Sequence, residues 1–185
     1  MPHRAKLYLD RLDAVVFDMD GVVTDTARTH AAAWKTTFDE FLEQRAAESG
    51  VPAVPFDIEG DYVRYVDGRS RLDGARAFLE SRGIDPDDAT VEAIAEKKTA
   101  RFLEEIERNG AAAYPSTVLI VRQLRDAGTR TAVVSASRNC ARIVAAAGVD
   151  HLFDVRVDGN DLRRLGLLGK PDPALFQEAA RRLGV

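Results

Sequence analysis

Three short apolar runs along the chain predict buried β-strands. They are residues 14–17 (AVVF), residues 131–134 (TAVV) and a weaker run at residues 153–157 (FDVRV). Each run ends at serine, aspartate or glycine residues, as a strand does where it enters a turn. Continuous apolar runs are typical of strands that are buried on both faces of a parallel sheet. We therefore expect three parallel strands.

The stretches before and after the second run predict helices. Residues 116–127 and 139–147 have amphipathic patterns, and each is closed by a glycine, Gly128 or Gly148, of the kind that ends a helix. The order strand, helix, strand, helix, strand implies right-handed crossovers between parallel strands. We therefore expect an α/β fold with a doubly wound parallel sheet.

A long stretch after the first strand has a different pattern. From about residue 27 to residue 113 the sequence shows helical patterns, such as residues 30–47 and 90–108, and no clear strand. Roughly 85 residues are too many for a single crossover connection. We predict an inserted α-helical cap at residues 27–111, and an α/β core made of residues 1–26 and 112–185. Such a cap would cover the carboxyl edge of the sheet, where open α/β sheets hold ligands.

Composition and charge narrow the class of protein. Of the 185 residues, 45% are hydrophobic and 30% are charged, which excludes fibrous and disordered chains. The formal net charge is −4 with both signs mixed, so we expect neither nucleic-acid binding nor a basic membrane surface. No apolar run approaches the roughly 20 residues that span a bilayer, and charged residues interrupt the N-terminus before a signal-peptide core forms. The single cysteine, Cys140, excludes an internal disulfide, and we predict a cytoplasmic protein.

Asp18 and Asp20 are the first candidates for chemistry. Asp18 ends the first strand, and the backbone between it and Asp20 turns into a glycine loop, so the two side chains can take separate positions. One carboxylate can then attack a substrate or bind a metal while the other moves protons, and the Asp20 carbonyl can serve a hard cation. A solvated turn rich in aspartate is the alternative that this pair alone leaves open.

The longer string FDMDGVVTDT at residues 17–26 resembles the first motif of the haloacid dehalogenase superfamily of phosphotransferases. Two further parts of that family's pattern follow in order: a strand that ends at Ser135, and Lys170 before a proline. The fourth part, a strand ending in paired acidic residues, is missing. Asp158 and Asp161 do not replace it, because they precede Lys170.

Within that superfamily the chain resembles the β-phosphoglucomutase-like branch over essentially its whole length. The resemblance implies a Rossmann-like core, incomplete at its C-terminal side here, with a helical cap that binds substrate. It places Arg71 in an inward-facing cap loop at residues 68–73. For Trp34 a core position, and for Lys98 a solvated helix face, are the alternatives. The implied substrate-binding residues are Thr26, His30, Trp34, Gly68, Ser70, Arg71, Lys98, Ala136, Ser137, Arg138 and Asn139.

The resemblance also implies a mechanism that needs Mg²⁺. Asp18 would attack phosphorus and form an aspartyl phosphate, and the metal would be held by Asp18 and the Asp20 carbonyl. Ser135, the Ala136 N–H and Lys170 would bind the phosphoryl oxygens. Asp20 would act as general acid and base. Thr26 and His30 would set the position of Asp20.

These residues favour a sugar-phosphate mutase, most specifically one that converts β-glucose 1-phosphate to glucose 6-phosphate. A phosphatase with the same groups is the first alternative, and a noncatalytic fragment of a larger polypeptide is the second. Because the fourth motif is missing, we expect residues 14–17 at an exposed sheet edge and little or no turnover, with activity regained in a longer chain. The sequence does not determine which sugar is bound, the oligomeric state, or how far the cap opens.

Overall fold

A computed structural model describes residues 12–185. The first eleven residues, which the sequence assigns to the core and in which it predicts no signal peptide, lie outside the described part. The elements in chain order are β1 (Ala14–Asp18), α1 (Ala27–Ser49), a π-helix (Ile58–Val66), α2 (Arg71–Ser81), α3 (Asp88–Asn109), α4 (Pro115–Asp126), β2 (Arg130–Val134), α5 (Cys140–Ala146), a 3₁₀ turn (Asp150–Leu152), β3 (Val155–Val157), α6 (Gly159–Leu165) and α7 (Ala174–Leu183).

The three strands form one parallel sheet in the order β1-β2-β3. Asp18 at the end of β1 pairs with Val134 at the end of β2, and Val134 pairs with Val157 at the end of β3. All three strands therefore end at one edge of the sheet, and the residues that follow them meet there. Within residues 12–185, β1 has a neighbour on one side only.

β3 is shorter than the predicted strand at residues 153–157. It begins at Val155, because a 3₁₀ turn occupies the chain up to Leu152. The Asp154 carboxylate then accepts a hydrogen bond of 2.8 Å from the Thr131 N–H. A side chain thus takes the place of the backbone partner that would have extended the ladder.

Helices cover both faces of the sheet. Val133 of β2 points to one face and packs with Val121 of α4 and Ile143 of α5. Its neighbour Val134 points to the other face and packs with Leu175 of α7. Successive side chains of a strand alternate between faces, so a strand that is apolar throughout needs helices on both sides. The predicted doubly wound α/β sheet is confirmed.

The helices from α1 to α3, which we call the cap, have an aromatic core of their own. Phe38 of α1 lies 5.2 Å from Phe56 and 4.1 Å from Phe78 of α2, measured between ring centroids, and all three are buried. Residues 27–109 contain helices and loops only. Because these rings bury their area against each other, the cap packs as a separate unit.

Two connections join the cap to the sheet, and they run side by side. The Asp25 N–H donates to the Ala112 carbonyl at 2.8 Å, and the Tyr114 N–H donates to the Val23 carbonyl at 3.0 Å. This pairing fixes the start of α1 beside the end of α3, just beyond β1. The cap consequently lies over the edge at which the strands end. None of the helices described is long and apolar enough to cross a membrane.

Candidate active site

A cavity of about 680 Å³ lies between the cap and the carboxyl edge of the sheet. Residues of both the cap and the sheet domain form its wall. Of the fifteen residues that the sequence proposes for the site, only Thr26 is not part of the wall. The others that line it are Asp18, Asp20, His30, Trp34, Gly68, Ser70, Arg71, Lys98, Ser135, Ala136, Ser137, Arg138, Asn139 and Lys170.

Asp18, the last residue of β1, pairs with Lys170, which precedes α7. The Lys170 Nζ lies 2.6 Å from Asp18 Oδ1. Burial raises the pKa of the Asp18 carboxyl, and the ammonium of Lys170 opposes that shift. The lysine thus orients one carboxylate oxygen and offsets its charge, while the second oxygen, Oδ2, is not held by Lys170.

Asp20 has a different set of partners. Its Oδ1 accepts a hydrogen bond of 2.6 Å from the Thr26 hydroxyl, and its Oδ2 accepts one of 3.1 Å from the Ser135 hydroxyl. Burial alone would raise the pKa of Asp20, but His30, Thr26 and Ser135 outweigh burial and bring it to about 2. The side chain is therefore ionised and fixed in place at neutral pH. Thr26 is buried, does not line the cavity, and contacts the Asp20 carboxylate directly.

His30 and Lys98 extend this network into the cap. The His30 ring stacks on Phe102 with 3.9 Å between centroids, and its Nε2 lies 3.3 Å from Asp20 Oδ1, without the geometry of a hydrogen bond. Its Nδ1 lies 2.6 Å from the Lys98 Nζ. Burial lowers the pKa of His30, the charge of Lys98 lowers it further, and the Asp20 carboxylate opposes the shift.

Lys98 is not on a solvated helix face, so that alternative is wrong. Only 5% of the residue is exposed, and its Nζ lies 5.1 Å from the ring centroids of both Trp34 and Phe102. Burial brings the pKa of Lys98 down to about 7, with Asp20 opposing the shift and Arg71 adding to it. Trp34 belongs both to the cap core, where it stacks on Phe38, and to the cavity wall.

The loop after β2 lines the cavity, and its short side chains hold its own backbone. The Ser137 N–H donates to the Ser135 hydroxyl at 3.0 Å, and the Asn139 N–H donates to the Ser137 hydroxyl at 3.1 Å. Gly159, at the start of α6, lies directly against this loop. A Cβ at position 159 would be 2.4 Å from the Ala136 carbonyl oxygen, so only glycine permits this approach.

The predicted cap loop at residues 68–73 is shorter in the structure, and this part of the prediction is wrong. Ser70 caps α2: its hydroxyl accepts from the Asp73 N–H at 3.2 Å and donates to the Asp73 carboxylate at 2.6 Å. Such a serine–acid pair starts a helix, so Arg71 occupies the first helical position. Its Nε is buried and has no hydrogen-bond partner among the described residues. Gly68, with φ of +69°, brings the remaining loop to within 3.6 Å of the Lys170 side chain, measured from an ideal Cβ.

The comparisons with known proteins agree with this arrangement. A family model described as haloacid dehalogenase-like hydrolase matches residues 12–185. The chain belongs to this family. Its resemblance to the haloacid dehalogenase superfamily and to the β-phosphoglucomutase-like branch, inferred above from motifs, is confirmed.

Individual members of the haloacid dehalogenase-like family resemble the chain over most of its length. A β-phosphoglucomutase of Mycobacterium tuberculosis is 40% identical over 185 residues, which cover 95% of this chain and 71% of that protein. A phosphoglycolate phosphatase of Rhodobacter capsulatus is 25% identical over 172 residues, covering 92% of this chain and 70% of that protein. A crystal structure of β-phosphoglucomutase from Clostridium difficile has the same fold, with a TM-score of 0.73, 22% identity, and coverage of 94% of this chain and 72% of that one.

Several residues that line the cavity of this haloacid dehalogenase-like chain were not predicted from the sequence. Burial, together with the Asp67 carboxylate, raises the pKa of Tyr62. Glu92 and Glu96 are spaced by one turn on α3, but solvated helix faces show the same spacing, so the pattern carried no signal. Arg163 lies next to another arginine on α6, and nothing in the sequence separates the two. The residues missed are Tyr62, Asp67, Arg69, Glu92, Glu96 and Arg163.

The donors present in this family member suit a hydrated Mg²⁺. The predicted ligands, a carboxylate oxygen of Asp18 and the backbone carbonyl of Asp20, are hard oxygens. Residues 12–185 bring together no group of three or more histidine, cysteine or acidic side chains that could hold a metal ion. Mg²⁺ usually keeps several waters and takes one or two carboxylates plus substrate phosphate oxygens. The set therefore fits that ion and lacks the soft ligands of a zinc site.

Proposed function

We propose that the chain catalyses Mg²⁺-dependent phosphoryl transfer on a sugar phosphate through an aspartyl phosphate at Asp18. The proposed reaction is the conversion of β-glucose 1-phosphate to glucose 6-phosphate. One observation carries the proposal: Asp18 and Asp20 lie in one cavity but have separate partners, Lys170 for the first and Thr26 and Ser135 for the second. Two carboxylates with separate partners can take the separate roles of nucleophile and proton carrier.

In the first half of the reaction Asp18 is the nucleophile. A bond forms between its carboxylate oxygen and phosphorus, and the bond from phosphorus to the sugar oxygen breaks. Lys170 and the Ser135 loop would hold the phosphoryl oxygens, on which charge spreads in the transition state. Bound Mg²⁺ would offset the repulsion between the carboxylate and the phosphate.

Asp20 carries the proton. With a pKa of about 2, it is a carboxylate at neutral pH, so it is ready to accept the proton of the sugar hydroxyl that attacks the aspartyl phosphate. In the step that phosphorylates Asp18, Asp20 gives that proton to the sugar oxygen that leaves phosphorus, so the proton taken in one half of the reaction is returned in the other. The hydrogen bond from Thr26 and the nearby imidazole of His30 keep the carboxylate oriented between these steps.

The mutase hypothesis needs a second phosphate site, and the cavity has candidates for it. Arg71 of the cap lines the same cavity as Ser137, Arg138 and Asn139 of the core. Arginine binds phosphate with two parallel hydrogen bonds. A cavity of about 680 Å³ also suits a ligand of the size of a hexose bisphosphate. The M. tuberculosis relative that bears the name β-phosphoglucomutase supports the same proposal.

A phosphatase is the second candidate. It needs only Asp18 and its neighbours, with water in place of the sugar hydroxyl, and the phosphoglycolate phosphatase relative supports it. The fold alone does not separate the two activities. A chain without catalysis, the remaining alternative, predicts neither product.

One experiment separates these outcomes. The chain is incubated with β-glucose 1-phosphate, a trace of glucose 1,6-bisphosphate and Mg²⁺, and glucose 6-phosphate and free phosphate are measured side by side, with Asp18→Asn as the control. A mutase forms glucose 6-phosphate faster than it releases phosphate. Faster release of phosphate would favour the phosphatase. Neither product above the Asp18→Asn control would overturn the proposal and would agree with the low turnover expected from the missing fourth motif.

A further inference from the structure

Arg163 shares the cavity wall with Arg71 and Arg138. The three come from different elements: Arg71 begins α2, Arg138 follows β2, and Arg163 lies on α6. Neither a repeat nor a motif groups them in the sequence. The fold alone brings the three guanidinium groups to one cavity.

Direct contacts hold α6 against the loop that carries Arg138. The Gly159 N–H donates to the Ser137 carbonyl at 3.1 Å, and the Asn160 side-chain amide donates to the Arg138 carbonyl at 2.9 Å. Gly159 approaches this loop so closely that no side chain fits between them. The position of Arg163 relative to Arg138 is therefore set by backbone packing.

Nearby arginines of β3, α6 and α7 have acidic partners. Among residues 12–185, Arg71, Arg138 and Arg163 have none, and neither has Arg69, a fourth arginine of the cavity wall. Arg164 and Arg182 each lie 2.6 Å from the Asp161 carboxylate, and Arg156 lies 3.2 Å from Asp158. Within residues 12–185, no carboxylate lies within 4.0 Å of Arg71, Arg138 or Arg163. The Asp158 and Asp161 carboxylates are thus paired with other arginines, whereas Glu92 and Glu96 line the same cavity without an ion pair to any of these three.

The unpaired guanidiniums act on one another. Burial lowers the pKa of Arg71, Arg138 and Arg163 add to that shift, and Glu96 and Glu92 of the cap oppose it from a distance. The Nε of Arg71 is buried without a hydrogen-bond partner. A buried donor without a partner and a group of like charges are both costly unless a ligand satisfies them. An anion with several oxygens would satisfy the donor and reduce the repulsion.

We propose that Arg163 is a specificity-determining residue, the third guanidinium of a site for a phosphate dianion at the end of the substrate remote from Asp18. This inference rests on the proposed function, and it adds Arg163 to the binding site and a preference for substrates with a distal phosphate. A phosphate group presents three oxygens and nearly two negative charges, and each guanidinium can offer a planar pair of donors. A carboxylate presents two oxygens and one charge. The site therefore selects substrates with a distal phosphate over substrates with a distal carboxylate.

A binding measurement tests the role of Arg163 without turnover. In an Asp18→Asn background, which cannot be phosphorylated, calorimetry gives the Kd of glucose 1,6-bisphosphate for the parent, Arg163→Gln and Arg164→Gln. Arg164 is the matched control, because it follows on the same helix and is paired with Asp161. We expect Arg163→Gln to raise the Kd about tenfold and to reduce its salt dependence, and Arg164→Gln to change the Kd less than about twofold.

Acetyl phosphate supplies the second arm. It has no distal phosphate, so Arg163→Gln in the chain with Asp18 intact should lower its hydrolysis by a smaller factor than the factor by which it raises the Kd of the bisphosphate. Equal Kd values for the two variants, or no measurable binding of the bisphosphate, would overturn the inference. If binding depends on Arg163 but no glucose 6-phosphate forms, the proposed function fails while this inference stands. If glucose 6-phosphate forms and Arg163→Gln changes neither the Kd nor the rate, this inference fails while the proposed function stands.

Discussion

The Nε2 atom of His30 lies 3.3 Å from Oδ1 of Asp20, so a cap residue faces the carboxylate that follows β1. The other nitrogen of the same ring lies 2.6 Å from the Lys98 Nζ, which also belongs to the cap. The surroundings that set the pKa of Asp20 are therefore supplied partly by the cap. Any displacement of the cap from the sheet changes the proton affinity of Asp20.

Replacing each of the two carboxylates by an amide should separate their roles. Asp18→Asn removes both the nucleophile and a metal ligand, so transfer and hydrolysis should both be lost. Asp20→Asn keeps the backbone carbonyl, so Mg²⁺ binding should persist while turnover falls by about 10² to 10⁴. Calorimetric titration with Mg²⁺ and an assay of turnover measure the two effects. Equal losses of metal affinity in the two variants would contradict this division.

Arg71→Ala should suppress isomerisation far more than it suppresses hydrolysis of acetyl phosphate. Loss of a desolvated contact between a charged donor and phosphate costs about 2–5 kcal/mol, and acetyl phosphate has no distal phosphate to lose. Arg76→Ala is the control on the same helix, since Arg76 pairs with Asp88 at 2.5 Å and does not line the cavity. If Arg71→Ala lowers both activities alike, Arg71 is structural or the enzyme is not a mutase.

Lys98 should make stability depend on pH above neutrality. Burial brings its pKa from 10.5 to about 7, so between these values the unfolded chain binds a proton that the folded chain lacks. Stability should therefore rise with pH in this window, by up to about 1.4 kcal/mol per pH unit. Lys98→Met should flatten that rise in urea unfolding from about pH 7 to about pH 9.

Lys97→Met is the matched control for this slope. Lys97 is the preceding residue on α3, is half exposed, and pairs with Glu40 at 2.7 Å. Its removal should leave the rise in stability intact. Above about pH 8 the buried Cys140 thiol, whose pKa burial raises, acts in the opposite direction. It does so equally in the parent and in both variants, so the difference between their slopes reports on Lys98. The prediction fails if both variants keep the parent's slope.

Gly159→Ala should weaken phosphate binding from outside the cavity. The added Cβ would meet the Ala136 carbonyl oxygen at 2.4 Å and the Arg138 nitrogen at 3.0 Å, so the loop or α6 must shift. Overpacking of this kind typically costs about 1–3 kcal/mol of stability. Urea unfolding measures that cost, and the Kd of inorganic phosphate measures the displacement of the loop. If the variant is destabilised but its affinity for phosphate is unchanged, the added Cβ displaces α6 and leaves the loop in place.

Much of the sheet could be predicted, because its strands are short, apolar and buried on both faces. The predicted runs at residues 14–17 and 131–134 each fall one residue short of the strands observed, β1 and β2. The prediction of β3 was less accurate because a side chain, Asp154, competes for the hydrogen bond of Thr131. Sequence periodicity does not record such competition.

The site was predictable where a motif fixes the position of a residue, and less so where packing decides. Asp18, Asp20, Ser135 and Lys170 follow strand ends or a proline, so topology brings them together. Lys97 and Lys98 are identical in kind, and only the rings of Trp34 and Phe102 decide that the second is buried. In the same way, only the position of Asp161 separates Arg164 from Arg163.

The side-by-side connections at residues 23–25 and 112–114 have a consequence for the order of folding. β1 must find β2 across the whole length of the cap, with Ala14 opposite Arg130. Closing such a long loop in a disordered chain is entropically costly and slow. A cap that has already collapsed around Phe38 and Phe78 would bring its own two ends together and shorten the effective loop, for a saving of roughly 1 kcal/mol. The insertion that divides the sheet domain in sequence would then speed its assembly.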